Sequence, residues 1–272
     1  MTIASLDQYI ASLKQRIEWV KTASRTTVAG IPFSVFDLAG QPGAGVLAGT
    51  STANGVVPTA ATAGCPIVNF SSGTGYLSKV EFNNSVMGRI ALFDMLFKAG
   101  AYSYAAATTP LSSQPSYLAR CPDGIGAGAE IWIEVTTAFV TGTAWQVQVT
   151  YTNSAGVAGR TSIISAAQAA AALTLGKLFQ MSLQAGDTGV QKIESVIVTN
   201  GGTAMTAGNF NVLALRPLWT SGRVPIANGG DIHDMLKTGM PIVYNTSAFY
   251  VQICADSTAT GTPEINFEIA SA

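Results

Sequence analysis

The stretch WQVQVTYTN, Trp145–Asn153, limits the possible folds more than any other part of this chain. Trp145, Val147, Val149 and Tyr151 alternate with Gln146, Gln148, Thr150 and Thr152. Side chains along a strand point to opposite faces in turn, so this strict period of two predicts a half-buried antiparallel strand. IWIEVTTA repeats the pattern, with Ile131, Ile133 and Val135 on one face and Trp132, Glu134 and Thr136 on the other. Further strands are predicted at Leu77–Phe82, Val157–Ile164, Lys177–Leu183, Gln191–Thr199, Asn209–Arg216, Pro241–Tyr244, Ala248–Cys254 and Glu264–Ile269, with NSAG, AGDTG and NGG as turns. Roughly ten short strands with a turn signal about every 10–15 residues predict an all-β, antiparallel, jelly-roll-like β-sandwich over residues 76–272. Two helices interrupt the prediction: Val86–Lys98, with Gly100 as its C′ residue, and a short one over Asp231–Lys237 capped by Asp231.

The first 75 residues read differently. Ser5 followed by Gln8 is a capping-box pattern, and Leu6, Ile10, Leu13, Ile17 and Val20 then recur at helical spacing. Residues 1–21 are therefore expected to hold an amphipathic helix. Residues 22–75 are broken by Gly and Pro yet keep Val46, Leu47, Val56, Val57, Ile67, Val68 and Phe70. That segment reads as an extended arm ordered against a neighbour. The apolar stripe Leu6, Ile10, Leu13, Ile17, Val20 becomes the candidate assembly interface. Packing back on the chain's own sandwich, or bundling with sister helices, stays open beside it.

Composition narrows the function. Only 11% of residues are charged, against about 25% in ordinary soluble domains, and mean hydropathy is +0.33. The helix-like apolar runs around Ile90–Phe97 and Ala166–Leu175 fall short of the ~20 residues that cross a bilayer. No secretory signal follows Met1. Fourteen basic and fifteen acidic residues give a net charge of −1, which removes the electrostatic ground for binding nucleic acid or anionic lipid. A surface this poor in charge suits a chain covered by other copies or partners. Cys65, Cys121 and Cys254 show no disulfide or zinc spacing and read as buried small hydrophobes of a chain made in a reducing cytoplasm.

The motifs that might carry chemistry are thin. GQPGAGVLAG, Gly40–Gly49, lacks the G-K-[ST] ending of a phosphate loop. His233 is the single histidine, and no Gly-x-Ser-x-Gly elbow exists to pair with it. Asp231, His233 and Asp234 do not converge on one point from a short helix. Glu130 and Glu134 flank Trp132 on one strand face, the raw material of a glycosidase pair, although fifteen acidic residues always place some pair close. Trp132, Trp145, Tyr151, Phe179, Phe210, Trp219 and Tyr250 would serve either as a sugar platform or as core.

Four stretches carry a family resemblance: RIALFDMLFKAGAYSYAAAT (Arg89–Thr108), VTYTNSAGVAGRTS (Val149–Ser162), LQAGDTGVQKIESVIVTNGGTAMTAGNF (Leu183–Phe210) and AFYVQICADSTATGTPEINFEIA (Ala248–Ala270). They resemble virion structural proteins of tailed bacteriophages across about residues 76–270. The resemblance implies a capsid decoration or cement protein, made in the bacterial host cytoplasm and found in the virion. Its implied partners are the major capsid protein or other virion proteins, together with further copies in a homo-oligomer, a trimer by preference. It offers no catalytic residue, metal ligand or cofactor to carry over, so the chain is expected not to be an enzyme. A tail, adaptor or head-fibre component, a carbohydrate-binding receptor module and a polysaccharide-degrading enzyme are the rival expectations.

Overall fold

The structure, a computed structural model, describes residues 5–49, 51–70 and 74–271, and the side chain of Leu6 lies outside the described residues. The chain is all-β and antiparallel. In order its elements are α1 (Leu6–Ser12), β1 (Leu13–Lys21), β2 (Pro32–Ser34), β3 (Gly40–Gln41), β4 (Gly75–Asn84), β5 (Gly88–Ser103), β6 (Ala107–Pro110), β7 (Glu130–Val140), β8 (Trp145–Asn153) and β9 (Arg160–Thr161). There follow β10 (Leu178–Met181), β11 (Val190–Asn200), β12 (Ala207–Thr220), β13 (Gly229–His233), α2 (Met235–Thr238), β14 (Ile242–Val243), β15 (Phe249–Ala255) and β16 (Glu264–Ser271). The chain divides into two compact units: residues 1–45, 59–94 and 218–272 form the first, and residues 46–58 and 95–217 the second.

In the first unit the strands run β13-β4-β16-β1-β3, with β14 also on β4, and a second sheet runs β5-β15-β2. Period-two alternation sorts the residues. Ile17 lies opposite Phe267 and Phe267 opposite Val80, while Trp19 lies opposite Ile265 and Ile265 opposite Phe82. These rows join Ile90, Leu92, Val251 and Ile253 in one buried core, and Phe249 meets Phe267 edge to face at 5.3 Å. The intervening rows face water. There Arg16 pairs with Glu268 at 3.3 Å, Lys79 with Glu268 at 3.5 Å and Lys79 with Glu81 at 3.6 Å.

The second unit is built the same way. One sheet runs β6-β11-β8-β9 and the other β10-β7-β12-β5. Val147, Val149 and Tyr151 face Val198, Val196 and Ile193 across the β8–β11 ladder. Ile131 and Ile133 face Ala214 and Val212 across β7–β12. Both sets enter a single core, in which Trp145 meets Phe139 at 4.9 Å and Phe210 at 5.1 Å, edge to face. Each such fully buried large side chain contributes about 1.5–3 kcal/mol of transfer free energy.

Several sequence expectations are corrected. The helix predicted to reach Lys21 stops at Ser12. Ser5 does cap it, accepting the Gln8 amide at 3.2 Å, but Leu13–Lys21 is strand β1. Seven helical residues gain little alone, whereas alternating Ile17 and Trp19 fill a core as a strand. Val86–Lys98 is not a helix either: β5 is a central strand with residues 92–100 all buried. A strand covered on both faces gives a continuous apolar run that periodicity does not separate from a helix. Gly100 is no C′ residue; at φ +151 an added Cβ would lie 2.2 Å from Asn211 Oδ1. The short helix is capped by Asp234, because Asp231 belongs to β13. Of Val157–Ile164 only Arg160–Thr161 joins the ladder.

The arm is also corrected, since the described residues between 22 and 75 pack on their own chain. Phe33, Val35, Phe36, Leu47, Val68 and Phe70 are buried, and the units do not part at 21/22 and 75/76. The described residues of 46–58 show how a segment without regular ladders is held. Its carbonyls meet buried donors: Val46 takes Lys98 Nζ, Leu47 takes Asn211 Nδ2, Thr52 takes the Tyr102 hydroxyl at 3.0 Å, and Pro58 takes Arg120 Nη1. Side chains here do what a neighbouring strand does elsewhere.

Candidate functional site

Strand β1 scatters the predicted stripe. Ile10 on α1 is 56% exposed and Leu13 37% exposed, Val20 is half-buried, and Ile17 is buried in the first unit's core. The side chain of Leu6 lies outside the described residues. The five residues do not form one surface: Ile17 faces the core, and Val20, three residues on in a strand, faces the other side.

Beside β1 lies a cleft of about 920 Å³ lined by Gln15, Arg16, Pro42, Thr59, Ile67 and Asn245, among others. Two carboxamides build its wall. Gln15 donates Nε2–H to the Ile67 carbonyl at 2.8 Å and accepts the Asn69 amide at 2.7 Å. Asn245 accepts the Phe70 amide and donates to the Phe70 carbonyl, both at 2.9 Å. Each amide mimics a strand edge, so the cleft is rich in neutral hydrogen-bonding groups.

The candidate chemical groups are engaged in structure. His233 Nδ1 accepts the Trp219 indole N–H at 2.9 Å, and its Nε2 sits 3.3 Å from Asp231 Oδ2. Asp231 is held below the usual carboxylate range, first by the Ile232 amide and then by Lys237. Asp234 accepts the Leu236 and Lys237 amides as the α2 cap. Glu130 accepts the Trp132 indole N–H at 2.7 Å, and burial pushes its carboxyl up. Glu134 is buried and accepts from Asn211 Nδ2 at 3.0 Å. Among the described residues no group of three or more His, Cys, Asp or Glu is placed to hold a metal.

Of the strand aromatics, Trp132, Trp145, Tyr151, Phe210, Trp219 and Tyr250 are buried and only Phe179 is half-exposed, so they are core and not a sugar platform. Cys65 and Cys121 are buried, Cys254 is half-buried, and none of the three is in a disulfide. No phosphate loop forms at Gly40–Gly49: Gly40 and Gln41 are strand β3, and an added Cβ on Gly45 would meet the Phe36 ring. No helix in the structure is long and apolar enough to cross a membrane, among the described residues.

What the sequence did not reveal is how few charges reach the surface. Among the described residues eight charged side chains are buried: Lys21, Arg25, Asp94, Lys98, Arg120, Glu134, Lys177 and Arg216. Asp94, for instance, accepts the Ser247 hydroxyl and the Ala248 amide, each at 2.9 Å. In the second unit, Asp123 and Lys192 are the two charged side chains that stand exposed among the described residues. Val46, Ile125, Val140, Val157, Ile163 and Ile164 of the same unit are 44–62% exposed.

No protein-family model matches the chain, and no curated protein matches it. Solved structures give loose likenesses. A cyanophage Pam1 capsid asymmetric unit is 18% identical, covering 55% of this chain and 90% of that chain, with a TM-score of 0.24. The VP2 subviral particle of infectious bursal disease virus is 11% identical over 100% and 83% of the two chains, with a TM-score of 0.22. The Gx strain of that virus gives 12% identity over 94% and 81%, with a TM-score of 0.23. Scores of that size fall short of a shared topology.

Proposed function

We propose that the chain is a non-enzymatic structural protein of a virion, a capsid decoration or cement protein that stabilises the head by associating with further copies and with the shell. The observation that supports this most is the scarcity of exposed charge on the second unit, whose surface keeps Asp123 and Lys192 beside a series of exposed β-branched residues. A free monomer is kept soluble by interspersed charge, and apolar surface of this kind is covered in contact with other protein. The resemblance of four stretches to tailed-phage virion proteins supports the same reading. In this reading attachment does not run through the whole predicted stripe, because Ile17 is buried in the core. Many copies on a symmetric shell multiply weak contacts.

The test is co-sedimentation of the purified chain with tail-free heads of the virus that encodes it. Saturable binding to the heads is expected. A chain that stays in the supernatant at every concentration, or pellets only with isolated tails, overturns the proposal.

A further inference from the structure

The stretch from Ala155 to Leu175, in the second unit, has no hydrophilic side chain among its exposed residues. Thirteen of its residues are exposed, and all thirteen are Ala, Gly, Val, Ile or Leu. Val157 is 51% exposed, Ile163 56%, Ile164 44% and Leu175 41%. The polar residues in the same stretch are held on their own chain. Arg160 Nε meets Asp187 at 3.0 Å, and Gln168 accepts Lys177 Nζ at 3.1 Å. The hydroxyls of Ser162 and Ser165 accept the Val149 and Val147 amides, each at 3.0 Å.

We infer that this ribbon is the surface through which one copy of the chain seats against a second copy. The inference deepens the assembly reading and rests on it. Charge selects the occupant. An ordinary soluble partner carries charge on about a quarter of its residues, and an ion pressed on the ribbon would lose its water with no counter-charge, a cost of several kcal/mol. A second copy brings a unit with two fully exposed charges and the same ribbon, whose single charged residue, Arg160, is paired with Asp187, so the two surfaces meet without an unpaired charge between them.

The backbone selects the mode of contact. Strand β8 would be an open edge beyond β9, inviting strand addition. Ser162 and Ser165 close it: their hydroxyls take its amides, and their own amides donate to the Val149 and Val147 carbonyls at 2.9 Å. The copies therefore meet through side chains and not by extending a sheet, and the run of alanines lets their main chains come close.

The experiment is sedimentation velocity of the full chain over a dilution series, beside the variants Ile163→Lys and Ala171→Glu. Both positions are exposed, and unchanged near-ultraviolet dichroism and melting temperature establish that each variant is folded. The wild type is expected to self-associate, and each variant to weaken association by roughly tenfold or more, about 1.4 kcal/mol or more. Self-association unchanged in both variants overturns the inference and leaves the assembly reading standing. So does loss of head binding with self-association intact, which assigns the ribbon to the shell. A wild type that stays monomeric yet binds heads also overturns it, whereas one that neither associates nor binds heads removes the assembly reading too.

Discussion

The Ser165 hydroxyl accepts the Val147 amide at 3.0 Å while the Ser165 amide donates to the Val147 carbonyl at 2.9 Å. Ser162 repeats this reciprocal pair on Val149. Two serines thus continue the closure of the β8 edge past the two residues of β9. Replacing either serine by alanine leaves a buried amide without an acceptor, which costs about 1–3 kcal/mol. Urea unfolding of Ser162→Ala and Ser165→Ala should show each loss, and the double variant should expose the Val147 and Val149 amides to hydrogen exchange while the β7–β12 ladder stays protected.

Ile10 and Ile17 share a helical stripe in the sequence and part company in the structure. Ile17→Asp places a carboxylate in the first unit's core between Phe267 and its neighbours, a change expected to cost about 4 kcal/mol or more. Ile10→Asp alters a side chain that is 56% exposed and should stay within about 0.5 kcal/mol of wild type. Equal effects of the two in denaturant titration would restore the helix.

Lys21 carries an alkaline signature. Its ammonium donates to the Leu38 and Pro42 carbonyls at 3.0 and 3.1 Å and lies 5.3 Å from the Trp19 ring centre. Burial lowers its pKa from 10.5 to about 8, against an opposing pull from Asp37. Between pH 8 and 10.5 the unfolded chain holds more protons at this site than the folded one, so this contribution to stability rises with pH across that window. Over the whole window it amounts to about 3 kcal/mol. The stability of wild type minus that of Lys21→Met should climb between pH 8 and 10.5 and be flat below it; a difference independent of pH would contradict the assignment.

Asp187 gives the acid counterpart. The Arg160 guanidinium, with Tyr151 and Asn153, holds its pKa at about 2 instead of 3.8. Its folded pKa is depressed, so the stability it adds is present above pH 3.8 and is lost as pH falls through about 2. Asp187→Asn should lack that step in acid unfolding curves. The same variant should lower the Tyr151 pKa, which burial and the hydrogen bond to Asp187 push up to about 12, and phenolate absorbance in alkaline titration reads that shift.

Most of the strand skeleton was legible because it lies in half-buried strands. From Trp145 to Asn153 burial alternates residue by residue, as the polar and apolar letters do, and β4 and β16 follow suit over most of their length. Strand β5 was not legible, since both its faces are covered and alternation vanishes. Strand β1 fits both a helical and a strand period, and the choice fell to a core that takes Ile17 and Trp19. The ribbon was half visible: Ala166–Leu175 stood out as apolar, but the letters do not say which of them face water.

The sequence by itself determined the all-β class, the Ser5 cap, the main turns and the shortage of charge, all of which depend on neighbours a few residues away. The tertiary structure alone decided that eight of the charges among the described residues are buried, that the described residues of 22–75 wrap their own units, and that β8, beyond its short pairing with β9, ends against an apolar ribbon. Those outcomes rest on contacts between residues far apart in the chain, such as Asn211 with Leu47 or Lys21 with Pro42, where long-range packing and hydrogen bonding outweigh local pattern.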